Sequence, residues 1–268
     1  MSKRRPAVAG QFYPGTAREM REMLAELIEP GAPKAKAIGA MGPHAGWIYS
    51  GRGAGMLYSR LEIPETVIVL CPNHRGMGAE IAVMSEGSWD LPTGEVRLAG
   101  DLARAIMKRC SLVTEDSRAH SAEHSLEVHL PFIQHFRPDF KLVPFSLGRV
   151  SFGECQELGT AMAEAVKAFG KEVLVVASSD MTHFESAAAA KKKDQLALDR
   201  MLALDPEGLY QTVIGNRITM CGVIPAAVML IYALARGATK AELIDYRNSG
   251  DVTGDRSEVV AYASVIVK

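Results

Sequence analysis

Two unbroken apolar runs constrain this chain more than any other feature: residues 66–70 (TVIVL) and the VLVVA within residues 171–177. A strand that is apolar at every position has no face to offer to water. It must be covered on both sides, which a half-exposed antiparallel sheet cannot provide. Further strand-like runs occupy residues 35–41, 140–145 and 259–267. Helical spacing appears between them. Met20, Met23, Leu24, Leu27 and Ile28 mark a helix over 16–28, and residues 100–109, 154–169, 194–204 and 223–236 carry similar patterns. Strands and helices that alternate in this way predict the α/β class. The expected form is a three-layer α/β/α domain with a mixed, largely parallel central sheet. No low-complexity linker or internal repeat divides the chain, so residues 1–268 are expected to form a single domain.

Composition excludes several functions. Thirty basic and 31 acidic residues leave a net charge of −1. No global positive field exists to attract nucleic acid. The one dense basic cluster, Lys191–Lys192–Lys193, follows an alanine run and reads as a solvated helix face. The N-terminus is basic but lacks the apolar stretch of a secretory signal. The most apolar helical segment, residues 223–235, is too short to span a bilayer and contains Pro225. The expected setting is therefore cytoplasmic and away from membranes. Four cysteines without a C-x-x-C pair predict neither a disulfide framework nor a zinc ribbon.

Three of the seven histidines share one structural context. His44 follows the run 35–41, His74 follows TVIVL, and His183 follows VLVVASS through Asp180. Each lies just beyond the carboxyl end of a predicted buried strand, the edge where ligands bind in α/β sheets. If those strands are parallel neighbours, the imidazoles meet in one cleft. Cys221 precedes the helical segment 223–235, where a helix N-terminus is expected to favour the thiolate. Two neutral imidazoles and one thiolate form a donor set for iron, copper or zinc. Three protein ligands leave positions open for chemistry.

A second histidine group is denser. His120, Glu123 and His124 match H-x-x-E-H, the inverted zinc-peptidase pattern, which requires both histidines on one helix face. Ser125 instead reads as an N-cap, with Leu126, Leu130, Ile133 and Phe136 forming the stripe of the helix that follows. That places the helix start after His124. Glu123 and His124 then face the cleft as acid–base or substrate-orienting groups.

Seven ordered blocks carry a family resemblance: PAVAGQFYP (6–14), GPHAGWIYSG (42–51), LCPNHRG (70–76), EHSLEVHLPFIQ (123–134), SSDMTHF (178–184), CGVIP (221–225) and NSGDVTGDRSEVVAYAS (248–264). Together they resemble the Memo family, whose prokaryotic members are called AmmeMemoRadiSam system protein B. That family is similar in fold to the catalytic subunit of class III extradiol dioxygenases. The resemblance implies metal ligands at His44, His74 and Cys221, with the cysteine where the dioxygenases use a carboxylate. It also implies Asp180 and His183 in the same pocket, with His183, set by Asp180, as general base or an extra ligand. His124, Glu123, Tyr49 and Arg75 are expected on the substrate side, Arg75 for an anionic group. The implied cofactor is one transition metal ion, iron or copper before zinc. The implied partners are a small-molecule or peptide substrate and a functional link to a radical-SAM protein. The leading expectation is a metal-dependent redox enzyme resembling a dioxygenase. A non-catalytic peptide- or protein-binding module using the same pocket is the alternative, and the zinc peptidase the third.

Overall fold

The computed structural model describes residues 3–268. Twelve strands join one sheet: β1 (Lys3–Arg4), β2 (Gly39–Gly42), β3 (Thr66–Pro72), β4 (Ile81–Val83), β5 (Ser88–Leu91), β6 (Gly94–Leu98), β7 (Thr114–Glu115), β8 (Lys141–Leu147), β9 (Val173–Ser178), β10 (Asp180–Glu185), β11 (Ala241–Asn248) and β12 (Val259–Val267). The main path runs β1-β5-β6-β8-β3-β9-β2-β12-β10, with β4, β7 and β11 paired beside it. At its centre β8, β3, β9 and β2 are parallel neighbours. Antiparallel β12 joins β2 to β10, so the sheet is mixed.

The two-sided burial inferred from the apolar runs is visible residue by residue. Val67, Val69 and Cys71 of β3 pack into one core, and Ile68 and Leu70 into the other. Leu174 and Val176 of β9 likewise oppose Val175 and Ala177. Side chains alternate across a strand, so an uninterrupted run feeds both layers. Helices Gly100–Met107, Phe152–Phe169, Ala187–Leu202 and Val223–Ala235 cover one face. Helices Ala17–Leu27, Trp47–Ser59 and Leu130–Phe136 cover the other. This is the three-layer α/β architecture expected above. No helix among the described residues is long and apolar enough to cross a membrane.

Several local expectations need correction. The helix Trp47–Ser59 was not anticipated, because Gly51, Gly53 and Gly55 dilute its periodicity. At Gly55 a Cβ would lie 2.1 Å from the Leu27 carbonyl oxygen, so glycine is what lets the preceding helix end against it. The helix expected at 194–204 begins earlier, at Ala187, and Lys191 and Lys192 are exposed on it. Ser125 caps no helix: a 3₁₀ turn spans Glu127–His129 and the α-helix starts at Leu130. His183 lies within a strand, β10, rather than in a loop after β9.

Two histidines, His120 and His129, are wholly buried. Burial holds both near a pKa of about 3, so they fold uncharged. The unfolded chain protonates them below about pH 6.5 while the folded chain does not until about pH 3. Stability is therefore full above pH 6.5 and is lost as the pH falls through that window. Each histidine should cost roughly 2–3 kcal/mol at about pH 4.5. Urea unfolding at neutral and acid pH should show a smaller pH effect in His120→Phe than in the wild type. Equal pH effects in the two proteins would contradict this account.

Candidate metal centre

Parallel pairing sets the positions. Gly42, the last residue of β2, is in register with Ser178, the last of β9, and β3 lies on the other side of β9. The chain leaves these strands at one edge carrying His44, His74 and Asp180. His44 is 2% exposed, and its backbone N–H donates to Asp180 Oδ1 at 2.7 Å. Its Nδ1 contacts Ser178 Oγ at 2.7 Å, so Nε2 points away from the sheet hydrogen bonds toward Cys221 Sγ, 3.2 Å distant. Ligand atoms of His44, His74 and Cys221 all fall within 4.8 Å of one another.

Glu123 positions His74. One carboxylate oxygen accepts the His74 backbone N–H at 2.7 Å, and the other contacts ring Nδ1 at 2.9 Å. Ser125 donates twice to that second oxygen, at 3.0 Å from its N–H and 2.7 Å from its hydroxyl. Burial pushes Glu123 up, but the His74 contact and the Ser125 donors outweigh it and hold the carboxyl at about 2. Glu123 is 0% exposed, and both of its oxygens are engaged by His74 and Ser125. His74 thereby turns Nε2 outward. Each histidine of the cluster commits Nδ1 to the protein, the arrangement metal-binding histidines need to present the other nitrogen.

Cys221 stands just before the helix Val223–Ala235, where Gly222 is the N-cap. The expectation that the helix end favours a thiolate is not met. Burial, then the nearby Asp180, push the thiol well above the usual cysteine range. One helix terminus does not offset the desolvation and the Asp180 charge. Asp180 supports the sulfur through its backbone N–H at 3.3 Å. Burial raises the Asp180 carboxyl to about 6.

His124 stacks on His74 at 4.8 Å and meets Phe12 at 4.7 Å on another side. Burial lowers it to about 4, and with His74 and Glu123 it forms a second, overlapping group of ligating type. His183 lies outside both groups. Its Nδ1 contacts the Thr219 carbonyl at 2.9 Å and its N–H donates to Thr219 Oγ1 at 2.7 Å, tying β10 to the loop that carries Cys221. Arg75 lines a cleft of about 630 Å³ together with Asn73, His74, Arg149 and Cys221, and its Nε donates to Ala122 O at 3.2 Å. Tyr49 is half-buried on the helix after His44 and does not line that cleft. His120 belongs to neither ligating group: it ends a 3₁₀ turn and packs against Trp89 at 5.7 Å. No helix aligns it with His124, so the peptidase geometry is absent from this segment. A larger cleft of about 830 Å³ lies at the opposite, amino ends of the strands, among Lys36, Glu65, Lys171 and Arg236, far from these groups in the fold.

Several supporting residues were not anticipated. Glu127 is buried and pairs with Arg4, while accepting the N–H groups of Ala7 (2.8 Å) and Val8 (3.1 Å) and the Tyr13 hydroxyl (2.6 Å). This straps residues 4–13 across the site and brings Phe12 to His124. Asp194, also buried, accepts both the N–H and hydroxyl of Thr182, at 3.0 and 2.6 Å, and the Tyr246 hydroxyl at 2.8 Å. Thr182 lies between Asp180 and His183, so Asp194 anchors that strand. A carboxylate inside an otherwise ordinary helix pattern carries no sequence signal for this role.

Comparison with known proteins identifies the class. A profile of the Memo-like protein family matches residues 4–266. A MEMO1 family protein of Aquifex aeolicus is 43% identical over 269 residues, covering 99% of each chain. Another, from Methanothermobacter thermautotrophicus, is 39% identical over 272 residues, covering 97% of this chain and 98% of its own. The crystal structure of an uncharacterized protein from Escherichia coli K12 has the same fold at a TM-score of 0.56 and 15% identity, covering 85% of this chain and 98% of its own. The chain belongs to the Memo-like family.

Gly222 offers a test of the local geometry. A Cβ there would lie 2.2 Å from the Ser178 carbonyl oxygen and 2.5 Å from Ser179 Cβ. Gly222→Ala must push the Cys221 loop away from β9, at a cost of about 1–3 kcal/mol. Urea unfolding should show that loss, and wild-type stability in Gly222→Ala would refute the packing argument.

Proposed function

We propose that this protein is a metal-dependent enzyme of redox type, with one transition metal ion held by His44, His74 and Cys221. The observation that carries the reading is the convergence of one ligand atom each from His44, His74 and Cys221 within 4.8 Å of one another, with both Nδ1 atoms already in contact with the protein. The spacing fits an ion. Tetrahedral bonds of ordinary length place nitrogen and sulfur about 3.5 Å apart. The His44–Cys221 separation of 3.2 Å needs to widen by only a few tenths of an ångström. The mixed imidazole and sulfur set favours iron or copper, with zinc as the competing occupant.

When bound, such an ion supplies a Lewis acid with open positions and, for iron or copper, a one-electron couple. The chain supplies the rest. The cleft beside His74 and Cys221 admits a small molecule or a peptide side chain, and the exposed Arg75 can pair with its anionic group. His183 faces the Thr219 carbonyl through Nδ1, which leaves an Nε2 lone pair to accept a substrate proton. Asp180 holds the His44 backbone and the sulfur, and His124, uncharged at neutral pH, packs on the ligand His74.

The test is anaerobic titration of the chelator-stripped chain with Fe(II), Cu(I) and Zn(II). The wild type should bind one ion, and His44→Ala and Cys221→Ser should each weaken binding by about tenfold or more. His183→Ala should weaken binding less than either, since that ring stands outside the cluster and reaches it only through the Thr219 loop. Wild-type binding in His44→Ala and Cys221→Ser would sink the proposal.

A further inference from the structure

Ser178 closes a buried hydrogen-bond chain that the metal reading does not use. Its Oγ contacts the Ser125 carbonyl oxygen at 2.7 Å, His44 Nδ1 at 2.7 Å and His129 Nε2 at 3.0 Å. His129 Nδ1 in turn meets the Tyr58 hydroxyl at 3.0 Å. Ser178, His129 and Tyr58 are 0% exposed and His44 is 2% exposed, so no solvent proton enters the count.

The proton positions follow from capacity alone. A carbonyl oxygen only accepts, so the single Ser178 hydroxyl proton must go to Ser125. Oγ then has two lone pairs left and two imidazole nitrogens facing them. Both nitrogens must donate, because an unprotonated nitrogen at these distances would set lone pair against lone pair. His44 therefore carries its proton on Nδ1 and His129 on Nε2. Both rings are buried and their hydrogen bonds go to neutral hydroxyls, so each is an uncharged imidazole with one proton only. His129 Nδ1 is then a bare acceptor, and the Tyr58 hydroxyl satisfies it. Every donor in the chain from Tyr58 to His44 meets one acceptor.

We propose that Ser178 is a positioning residue that locks His44 as the Nδ1–H tautomer, presenting a bare Nε2 to the cluster before any ion arrives. The inference rests on the metal reading for its purpose but not for its geometry. His74 and His183 reach the same state directly, their Nδ1 atoms facing the Glu123 carboxylate and the Thr219 carbonyl. His44 instead borrows its acceptor from a hydroxyl, and that hydroxyl acts only as an acceptor because Ser125 takes its proton. Free imidazole in water favours the opposite tautomer, so an unlocked His44 would have to shift its proton before binding a metal.

Long-range ¹H–¹⁵N correlation spectra of the full chain, histidine-labelled, stripped by chelator and kept reduced near neutral pH, read the tautomer directly. The His44 signals are assigned by their loss in His44→Gln. The wild type should show His44 protonated at Nδ1 and bare at Nε2, and added Zn(II) should move Nε2 while Nδ1 stays protonated. Ser178→Ala should move His44 into a tautomer mixture and weaken Zn(II) binding by about 10–100-fold. Ser178→Thr, which keeps the hydroxyl, should restore the wild-type pattern. A wild-type His44 protonated at Nε2 overturns the proposal, and this spectrum decides the question even if Ser178→Ala does not fold. Wild-type tautomer and affinity in a folded Ser178→Ala overturn it as well. An intact Nδ1–H pattern without Zn(II) binding would instead overturn the metal reading and leave the lock standing.

Discussion

The parallel pairing of β2, β9 and β3 is the constraint on which the rest depends. Three strands that run the same way end at the same edge, and their exits carry His44, His74 and Asp180. Alternating burial pins their register, because each apolar side chain has a core waiting on its own side. A slip of one residue would turn every side chain to the opposite face. It would also carry Ser178 away from Gly42, and so from His44.

Strand ends fix only where the chain leaves the sheet; buried carboxylates fix where it goes next. Glu127 holds the N-terminal strap, Glu123 holds His74, and Asp194 holds the strand between Asp180 and His183. Each is 0% exposed and meets several donors. A buried charge is costly unless fully partnered, and removing one partner commonly costs about 3–5 kcal/mol. The loops at the site are therefore held by polar networks whose members are individually hard to replace. Among these contacts, those of Glu123 also turn the His74 Nδ1 toward the protein. Fold and ligand chemistry are coupled through them.

Much of this architecture was legible in the residues. TVIVL and VLVVA implied buried parallel strands, and three histidines in the same position after such runs implied a shared edge. The meeting of residues 44 and 74 needed only that their strands share that edge, whereas Cys221 came from its place before a helix and from the family resemblance, and His183 stays outside the group. Other parts could not be read. The helix Trp47–Ser59 is glycine-rich because it is closely packed, and close packing erases the periodic signal. Glu123 looked like a substrate contact because its neighbours in sequence are histidines, whereas its carboxylate is used up by His74 and Ser125. Cys221 looked like a thiolate from its place before a helix, but burial and Asp180 outweigh the helix end. In both cases one deciding group, His74 or Asp180, comes from a distant part of the chain.

A half-buried thiol 3.2 Å from an imidazole nitrogen gains most from a cation that displaces its proton. The central claim is that this sulfur and two imidazoles bind one ion. X-ray absorption at the metal edge of the anaerobically loaded protein tests it most directly. The account predicts one sulfur at about 2.3 Å and two imidazole nitrogens at about 2.0–2.1 Å. A shell of oxygen and nitrogen alone, unchanged in Cys221→Ser, would contradict it.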